Sequence, residues 1–535
     1  MAERLALAAV VLALVLALFV RVRLADAPFE RDEGEYAYAG QLVLDGVPPY
    51  AQAYNMKFPG VYYAYAASFA LFGESPRGAH LGLAAVNAAT ALFVLLLGRR
   101  LLGPLGGAAA ACAFLLLSLD RFVMGIFAHA THFVALPVTA ALWLIARAPV
   151  GTRSALGAGV LLGLAVLMKQ HAVVYLPFAA ALVAWEMLSA GAGRNAAVLR
   201  VAALAAGAVL PFALLVAVLA AQDVLGAFWF WTFRYASEYV SQVGLAGGGE
   251  RFARALGIIT TVDRPLWIAA ALGFAALWLP GWPREVRVAL SGLLVASLLA
   301  VVPGFYFREH YFIVLLPAVA LCAGVGAVSL ERVLARVVPA APARAAVALA
   351  GVGLAASYLV VERSYLFRWT PREVVRSRYG PNPFPEAPEI ARYIRERTAH
   401  GDRIMVFGSE PEIYFLAERR SATGYVYMYS LLERQALTRE MQDQMIREVT
   451  GARPAYVVYV SISTSWQPHP DVDRRVLDWS RRYTAACYDL VGVADIHSRD
   501  ETTWVWGESA RDYRPRSKSL VQVYARKSDA PCTAS

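Results

Sequence analysis

The placement of apolar residues constrains this chain most. Long Ala/Leu/Val runs recur through residues 1–361 and then stop, and residues 362–535 have the mixture of a water-soluble sequence. A bilayer core of about 30 Å takes about 20 apolar residues in a helix. Runs that reach or approach this length lie at 4–22, 79–98, 102–118, 131–147, 155–168, 171–188, 199–220, 265–281, 286–303, 310–328 and 343–361. The pattern predicts a polytopic α-helical membrane protein of about eleven transmembrane helices. A transmembrane domain, residues 1–361, precedes a soluble domain, residues 362–535, with the boundary near Tyr358–Arg363. The first run is longer than the apolar core of a signal peptide, about 7–15 residues, and reads as a retained anchor.

The formal charge of +10 does not call for nucleic acid, because no binding motif accompanies it and many arginines sit in short loops between apolar runs, where they set topology. Arg99 and Arg100 follow the second run, Arg147 and Arg153 the fourth, and Arg194 and Arg200 the sixth. Arg284 and Arg287 follow the eighth, and Arg332, Arg336 and Arg344 the tenth. These connections are predicted to be cytoplasmic, with the N-terminus inside and the C-terminal domain outside. Basic residues near the surface also favour membrane lipids with anionic headgroups.

The remaining connections carry the carboxylates, histidines and aromatics. The first reads Phe29-Glu30-Arg31-Asp32-Glu33-Gly34-Glu35-Tyr36, four carboxylates within six residues just past a span. From Glu33 a helical pattern places Tyr36, Gly40, Val43 and Leu44 on one side, which predicts a short amphipathic helix on the membrane surface. N-capping accounts for one carboxylate but not for four. A carboxylate here can serve as general base or hold a cation.

The same loop continues Lys57-Phe58-Pro59-Gly60-Val61-Tyr62-Tyr63, and Lys57 is the only lysine before Lys169. A lone cation beside a Pro-Gly turn suits a phosphate at headgroup level, and an interfacial lysine that snorkels reads equally well. Later outside segments add Arg121, His129 and His132, then Lys169-Gln170-His171, an aromatic belt at 228–239 with Arg234 and Glu238, and Arg308-Glu309-His310-Tyr311. Each alone fits ordinary interfacial structure, and two histidines are weak grounds for a metal. Together they form a basic, aromatic face around an acidic loop, which fits a lipid-linked anionic donor.

Residues 362–535 alternate helix (Pro385–Thr398, Pro411–Ala417, Asp471–Tyr483) and strand (Arg403–Phe407, Ala455–Ser461, Thr503–Trp506, Leu520–Ala525), a small α/β domain. Gly408-Ser409-Glu410 ends a strand where such sheets bind ligands. Cys112 and Cys322 lie in apolar runs as small core residues, while Cys487 and Cys532 can pair if the domain is outside the cytoplasm.

Asp32-Glu33-x-x-Tyr36-Ala37 after the first span, Lys57-x-Pro59-x-x-Tyr62-Tyr63, and Arg308-x-His310-Tyr311 running into a helix with Pro317 resemble the membrane glycosyltransferases of the C-type fold. The nearest group looks like family 39, which includes protein O-mannosyltransferases and lipid A aminoarabinose transferases. The resemblance covers roughly residues 1–330. It implies a multi-pass protein of the bacterial plasma membrane that transfers a sugar from a polyprenyl-phosphate donor to a lipid, glycan or protein acceptor on the extracytoplasmic face. On that resemblance Asp32 is the base or acceptor-orienting carboxylate and Glu33 its supporting partner. Lys57 contacts the donor phosphate, with Arg308 and His310 as further anion ligands. Tyr36, Tyr62, Tyr311, His129 and Lys169 complete the candidate set. Phe58 and Tyr63 depart from the lysine motif of the aminoarabinose enzymes, so the acceptor stays open. The residues fix no cofactor, and a divalent metal stays open, since first-loop carboxylates bind one in some superfamily members and not in others.

Two other readings share the spans. A transporter or lipid flippase predicts internal repeats and midplane charges, whereas here the acids cluster in an outside loop. A non-enzymatic envelope assembly protein would place recognition in the soluble domain alone.

Overall fold

The computed structural model describes residues 2–146, 150–240, 244–528 and 532; Arg147 lies outside these. Every apolar run identified above falls on a helix. Among the described residues six helices are long and apolar enough to cross a membrane, or seven if Gly247–Ile259 and Arg264–Ala276, bent by 114°, form one span. Gly60–Phe72, Ala130–Ile145 and Thr152–Met168 are apolar but shorter. Two expected runs lie within the single element Pro76–Leu117, which breaks at Gly103, where φ is 83°, with Pro104 next. A Cβ on Gly98 would lie 2.8 Å from Gly107 Cα, so the two halves fold back side by side.

The connections sort into two ends. At one, Arg99 pairs with Glu3, Arg100 donates to the Ala146 carbonyl, Arg200 to Val150 and Arg332 to Gly281. At the other, Arg21 donates to the Ser118 and Gly125 carbonyls, Arg23 to Tyr365, Leu366 and Trp369, and Arg121 pairs with Glu362. The second end carries the C-terminal region.

That region is built on a mixed six-stranded sheet, β1 (Arg403–Phe407), β2 (Arg420–Ser421), β3 (Tyr456–Ser461), β4 (Tyr488–Ile496), β5 (Thr502–Trp506) and β6 (Leu520–Arg526), in the order β2-β1-β3-β6-β4-β5. β1 pairs parallel with β2 and β3, and the other pairings are antiparallel. Helix Thr438–Ala452 and strand β4 are additions to the sequence reading. In β4 the polar Asp489 and Asp495 and the Gly492 bulge interrupt the apolar pattern. Cys487 and Cys532 form a disulfide, with Cα atoms 5.3 Å apart.

One buried cluster crosses between the two regions, joining Phe29, Tyr38, Tyr65 and Phe69 to Ile390, Ile413, Phe415 and Val458. Phe415 meets the Phe29 ring edge-on at 5.5 Å and stacks on Phe69 at 5.2 Å. Full burial of such a side chain contributes about 1.5–3 kcal/mol.

The helix expected on the membrane surface, α1 (Arg31–Leu44), is instead sandwiched. Its small residues allow close approach on two faces. A Cβ on Gly34 would sit 2.6 Å from the Glu412 backbone nitrogen, and one on Gly40 would sit 3.0 Å from Tyr65 Cβ. Tyr38 accepts the Ser421 N–H on its hydroxyl at 2.9 Å. Arg31 donates to the Ser409 carbonyl and to Glu410 Oε1 at 2.5 and 2.8 Å. The carboxyl end of β1, where a ligand was expected, is therefore filled by the N-terminus of α1.

Candidate active site

The four carboxylates at the start of α1 divide into two pairs. Glu30 is the N-cap and accepts the Glu33 N–H at 2.9 Å, while Glu33 accepts the Glu30 N–H at 3.3 Å. This is a reciprocal capping box. The other Glu33 oxygen faces His80 Nε2 at 2.8 Å and the Ala128 N–H at 2.5 Å. Glu33 is fully buried. Expected beside Asp32, it instead ties α1 to Pro76–Leu117 and to the loop before Ala130.

Asp32 and Glu35 are three residues apart and share a helix face. Both reach Lys57, whose Nζ lies 2.9 Å from Asp32 Oδ1 and 2.5 Å from Glu35 Oε2. Tyr62 donates to the other Glu35 oxygen at 2.8 Å, and the Tyr36 ring lies 4.5 Å from Nζ. Tyr427, from the C-terminal region, donates its hydroxyl to Asp32 Oδ1 at 2.8 Å. Asp32 Oδ2 accepts no hydrogen bond among the described residues.

Local sequence explains how Lys57 arrives. A Cβ on Gly60 would lie 2.4 Å from the Leu167 carbonyl oxygen, so only glycine lets Gly60–Phe72 begin against the end of Thr152–Met168. Gln170 then donates to the Met56 carbonyl at 2.6 Å and Tyr50 to the Lys57 carbonyl at 2.7 Å.

A second layer lies beyond Oδ2. His310 Nε2 is 3.8 Å from it, and the His310 ring stacks on His129 at 4.0 Å. Both histidines are buried, and neither His129 nitrogen has a hydrogen-bond partner among the described residues. Asp32, His129 and His310 each offer a ligand atom, all within 4.8 Å of one another. His132 is not part of this set and faces Asn87 at 3.2 Å. Lys169 Nζ sits 3.8 Å above the Tyr311 ring. Arg308 is exposed, 6.0 Å from the Tyr306 ring, and makes no hydrogen bond or ion pair among the described residues.

Charges here are uneven. Burial opposes ionisation of Asp32, but Lys57, joined by His310 and His129, outweighs it and holds the carboxyl well below the usual range. Burial pushes Glu35 the other way, above its ordinary value, against the same lysine. Two carboxyls on one ammonium are thereby pushed apart, Asp32 down and Glu35 up. Lys169 is lowered to about 7 by burial, with Lys57 and Arg308 adding to this against the pull of Asp32. Burial lowers His129 to about 4, so its imidazole is neutral at pH 7.

The structure thus brings together Asp32, Lys57, Tyr36, Tyr62, His129, Lys169, Arg308, His310 and Tyr311, and turns Glu33 away. Glu35 and Tyr427 were not identified from sequence. Helical spacing from the Glu30 cap would have found Glu35; no spacing links residue 427 to residue 32.

This arrangement, membrane helices with a sheet domain seated on one end, is a fold shared with solved structures. The chain is similar over 98% of its length to ArnT from Cupriavidus metallidurans bound to undecaprenyl phosphate, 98% of which it covers, with TM-score 0.61 and 14% identity. For ArnT in the apo state the coverage is 97% of each chain, with TM-score 0.58 and 15% identity. The archaeal oligosaccharyltransferase AglB from Archaeoglobus fulgidus, in complex with an inhibitory peptide and a dolichol-phosphate, matches 94% of this chain and 74% of its own, with TM-score 0.53 and 13% identity. No protein-family model and no curated protein matches the sequence.

Proposed function

We propose that this chain is an integral-membrane glycosyltransferase that moves a sugar from a polyprenyl-phosphate donor to an acceptor hydroxyl or amine on the extracytoplasmic face. The observation that carries the reading is Asp32, ionised by Lys57, with Lys169 and Arg308 close enough for their charges to act on it. ArnT bound to undecaprenyl phosphate and AglB bound to a dolichol-phosphate support the donor class.

The donor phosphate lies among Arg308, Lys169 and the free face of Lys57, which has one N–H beyond the two given to Asp32 and Glu35. The acceptor oxygen or nitrogen attacks the anomeric carbon from the side of Asp32. The bond to the acceptor forms as the bond from carbon to phosphate oxygen breaks, with inversion. The acceptor proton passes to Asp32 Oδ2, and polyprenyl phosphate leaves with the electron pair. Asp32 is a weak base, but the acceptor becomes acidic as its bond forms, so orientation matters more than basicity. The cations offset the charge developing on the leaving phosphate.

Asp32, His129 and His310 also fit a divalent ion, since a carboxylate and two neutral imidazoles are a suitable donor set and neither His129 nitrogen has a hydrogen-bond partner among the described residues. A bound ion would neutralise donor phosphate charge. It would also take Oδ2, the oxygen the base uses, and three cations already stand at the site. The metal-free reading is therefore preferred.

Residues 1–361 hold the chemistry and residues 362–535 cover it. The arginine-rich connections lie at the opposite end, which supports an extracytoplasmic site. The Cys487–Cys532 disulfide supports the same side. The test is transfer of labelled sugar from polyprenyl-phosphate carriers by the purified chain. No transfer from any such carrier by intact protein contradicts the reading.

A further inference from the structure

The C-terminal region sends an irregular strap, residues 422–430, across the site, and it carries tyrosines at 425, 427 and 429. Tyr425 donates to Gln444 at 2.9 Å and Tyr429 to the Thr464 carbonyl at 2.6 Å, both within their own region. Tyr427 alone of the three gives its hydroxyl to the membrane region, at Asp32 Oδ1. The strap is pinned on both sides of it. Thr423 donates to Glu448 at 2.5 Å, and the Met428 N–H donates to Ser409 Oγ at 3.0 Å.

Docking does not require this contact. Arg31–Glu410, Tyr38–Ser421 and Tyr54–Glu448 already join the two regions at 2.8, 2.9 and 3.0 Å. What Tyr427 adds concerns the carboxylate itself. Each carboxylate oxygen has two lone-pair sites. Lys57 and Tyr427 together occupy those of Oδ1, at 2.9 and 2.8 Å. A single bond leaves a carboxylate free to turn about its last torsion, which is broad. Two bonds from different directions fix its plane and leave Oδ2 uncovered. Burial, with Asp32 and Glu35 nearby, keeps the Tyr427 phenol protonated and so a donor.

We propose that Tyr427 is a positioning residue, supplied by the C-terminal region, that fixes the Asp32 carboxylate with Oδ2 turned toward the acceptor. The C-terminal region is then half of the transfer site and not only its cover. The consequence for turnover rests on the glycosyltransferase reading above; the consequence for Asp32 itself does not.

Two measurements on the full-length protein in detergent separate these. The first is carboxyl footprinting with a water-soluble carbodiimide and an amine, read by mass spectrometry. In Tyr427→Phe, labelling of Asp32 rises several-fold, while the buried Glu410 and Glu412 stay protected because the region remains docked. Tyr425→Phe leaves Asp32 as in the wild type. Unchanged labelling of Asp32, or equal rises at all three carboxyls, overturns the proposal. The second is steady-state transfer from a polyprenyl-phosphate sugar. Tyr427→Phe lowers kcat by about 10- to 100-fold with the donor KM within about twofold. An unchanged kcat, or a loss confined to KM, overturns the positioning role. If the wild type uses no such donor, the glycosyltransferase reading falls, and the footprint alone decides the role of Tyr427.

Discussion

Lys57 Nζ lies 2.9 Å from Asp32 Oδ1 and 2.5 Å from Glu35 Oε2, so one ammonium holds both carboxylates left over from capping. A lysine used only as a phosphate ligand would affect donor binding alone. Because Lys57 also keeps Asp32 ionised, Lys57→Ala is expected to lower kcat at least as strongly as it raises the donor KM, by about 100-fold or more. Adding Glu35→Gln, which removes the second carboxyl left unpaired, restores part of the loss. Steady-state kinetics of the single and double variants check this, and a pure KM effect contradicts it.

Glu33 and Glu35 should separate stability from activity. Glu33 is fully buried and spent on the capping box, His80 and the Ala128 N–H. Glu33→Gln replaces an acceptor by a donor there and costs about 1–3 kcal/mol. That shows as a lower melting temperature in detergent, with turnover of the folded fraction largely kept. Glu35→Gln is expected to do the reverse. A stable but inactive Glu33→Gln protein would contradict the assignment.

Lys169 sets a pH dependence. Its pKa of about 7 means that its charge is present below pH 7 and lost above it. Donor affinity, measured as KM across pH 6–8.5, should weaken as pH rises through about 7. Lys169→Arg, charged throughout this range, should flatten the profile. A wild-type KM independent of pH would show that Lys169 does not meet the phosphate.

Chelation addresses the alternative use of Oδ2. With Lys57, Lys169 and Arg308 present, transfer should survive dialysis against EDTA, and added zinc, manganese or magnesium should stimulate neither the wild type nor His129→Ala. Loss of transfer restored by zinc, manganese or magnesium would favour an ion on Asp32, His129 and His310 instead.

Much of this architecture is legible in the sequence because membrane spans must be long and apolar, and because arginine marks one side. The Gly103-Pro104 hairpin and the sandwiching of α1 were less legible. Both depend on glycines whose role is close approach to a partner distant in sequence, as at Gly34 against Glu412. Asp32 and Lys57 stood out by density and rarity of charge. Glu33 enters with Asp32 through the motif the chain resembles, whereas on a helix residue i+3 shares the face of Asp32 and i+1 does not, so the motif does not point to Glu35. Tyr427 lies 395 residues from Asp32 and only the docked fold unites them.

The proposed transfer depends above all on Asp32. The most direct measurement compares the wild type and Asp32→Asn, purified and matched in melting temperature, for release of labelled sugar from polyprenyl-phosphate donors to product. Transfer by the wild type is expected, with a loss of about 100-fold or more in Asp32→Asn and donor binding retained. Transfer by Asp32→Asn at the wild-type rate would contradict it.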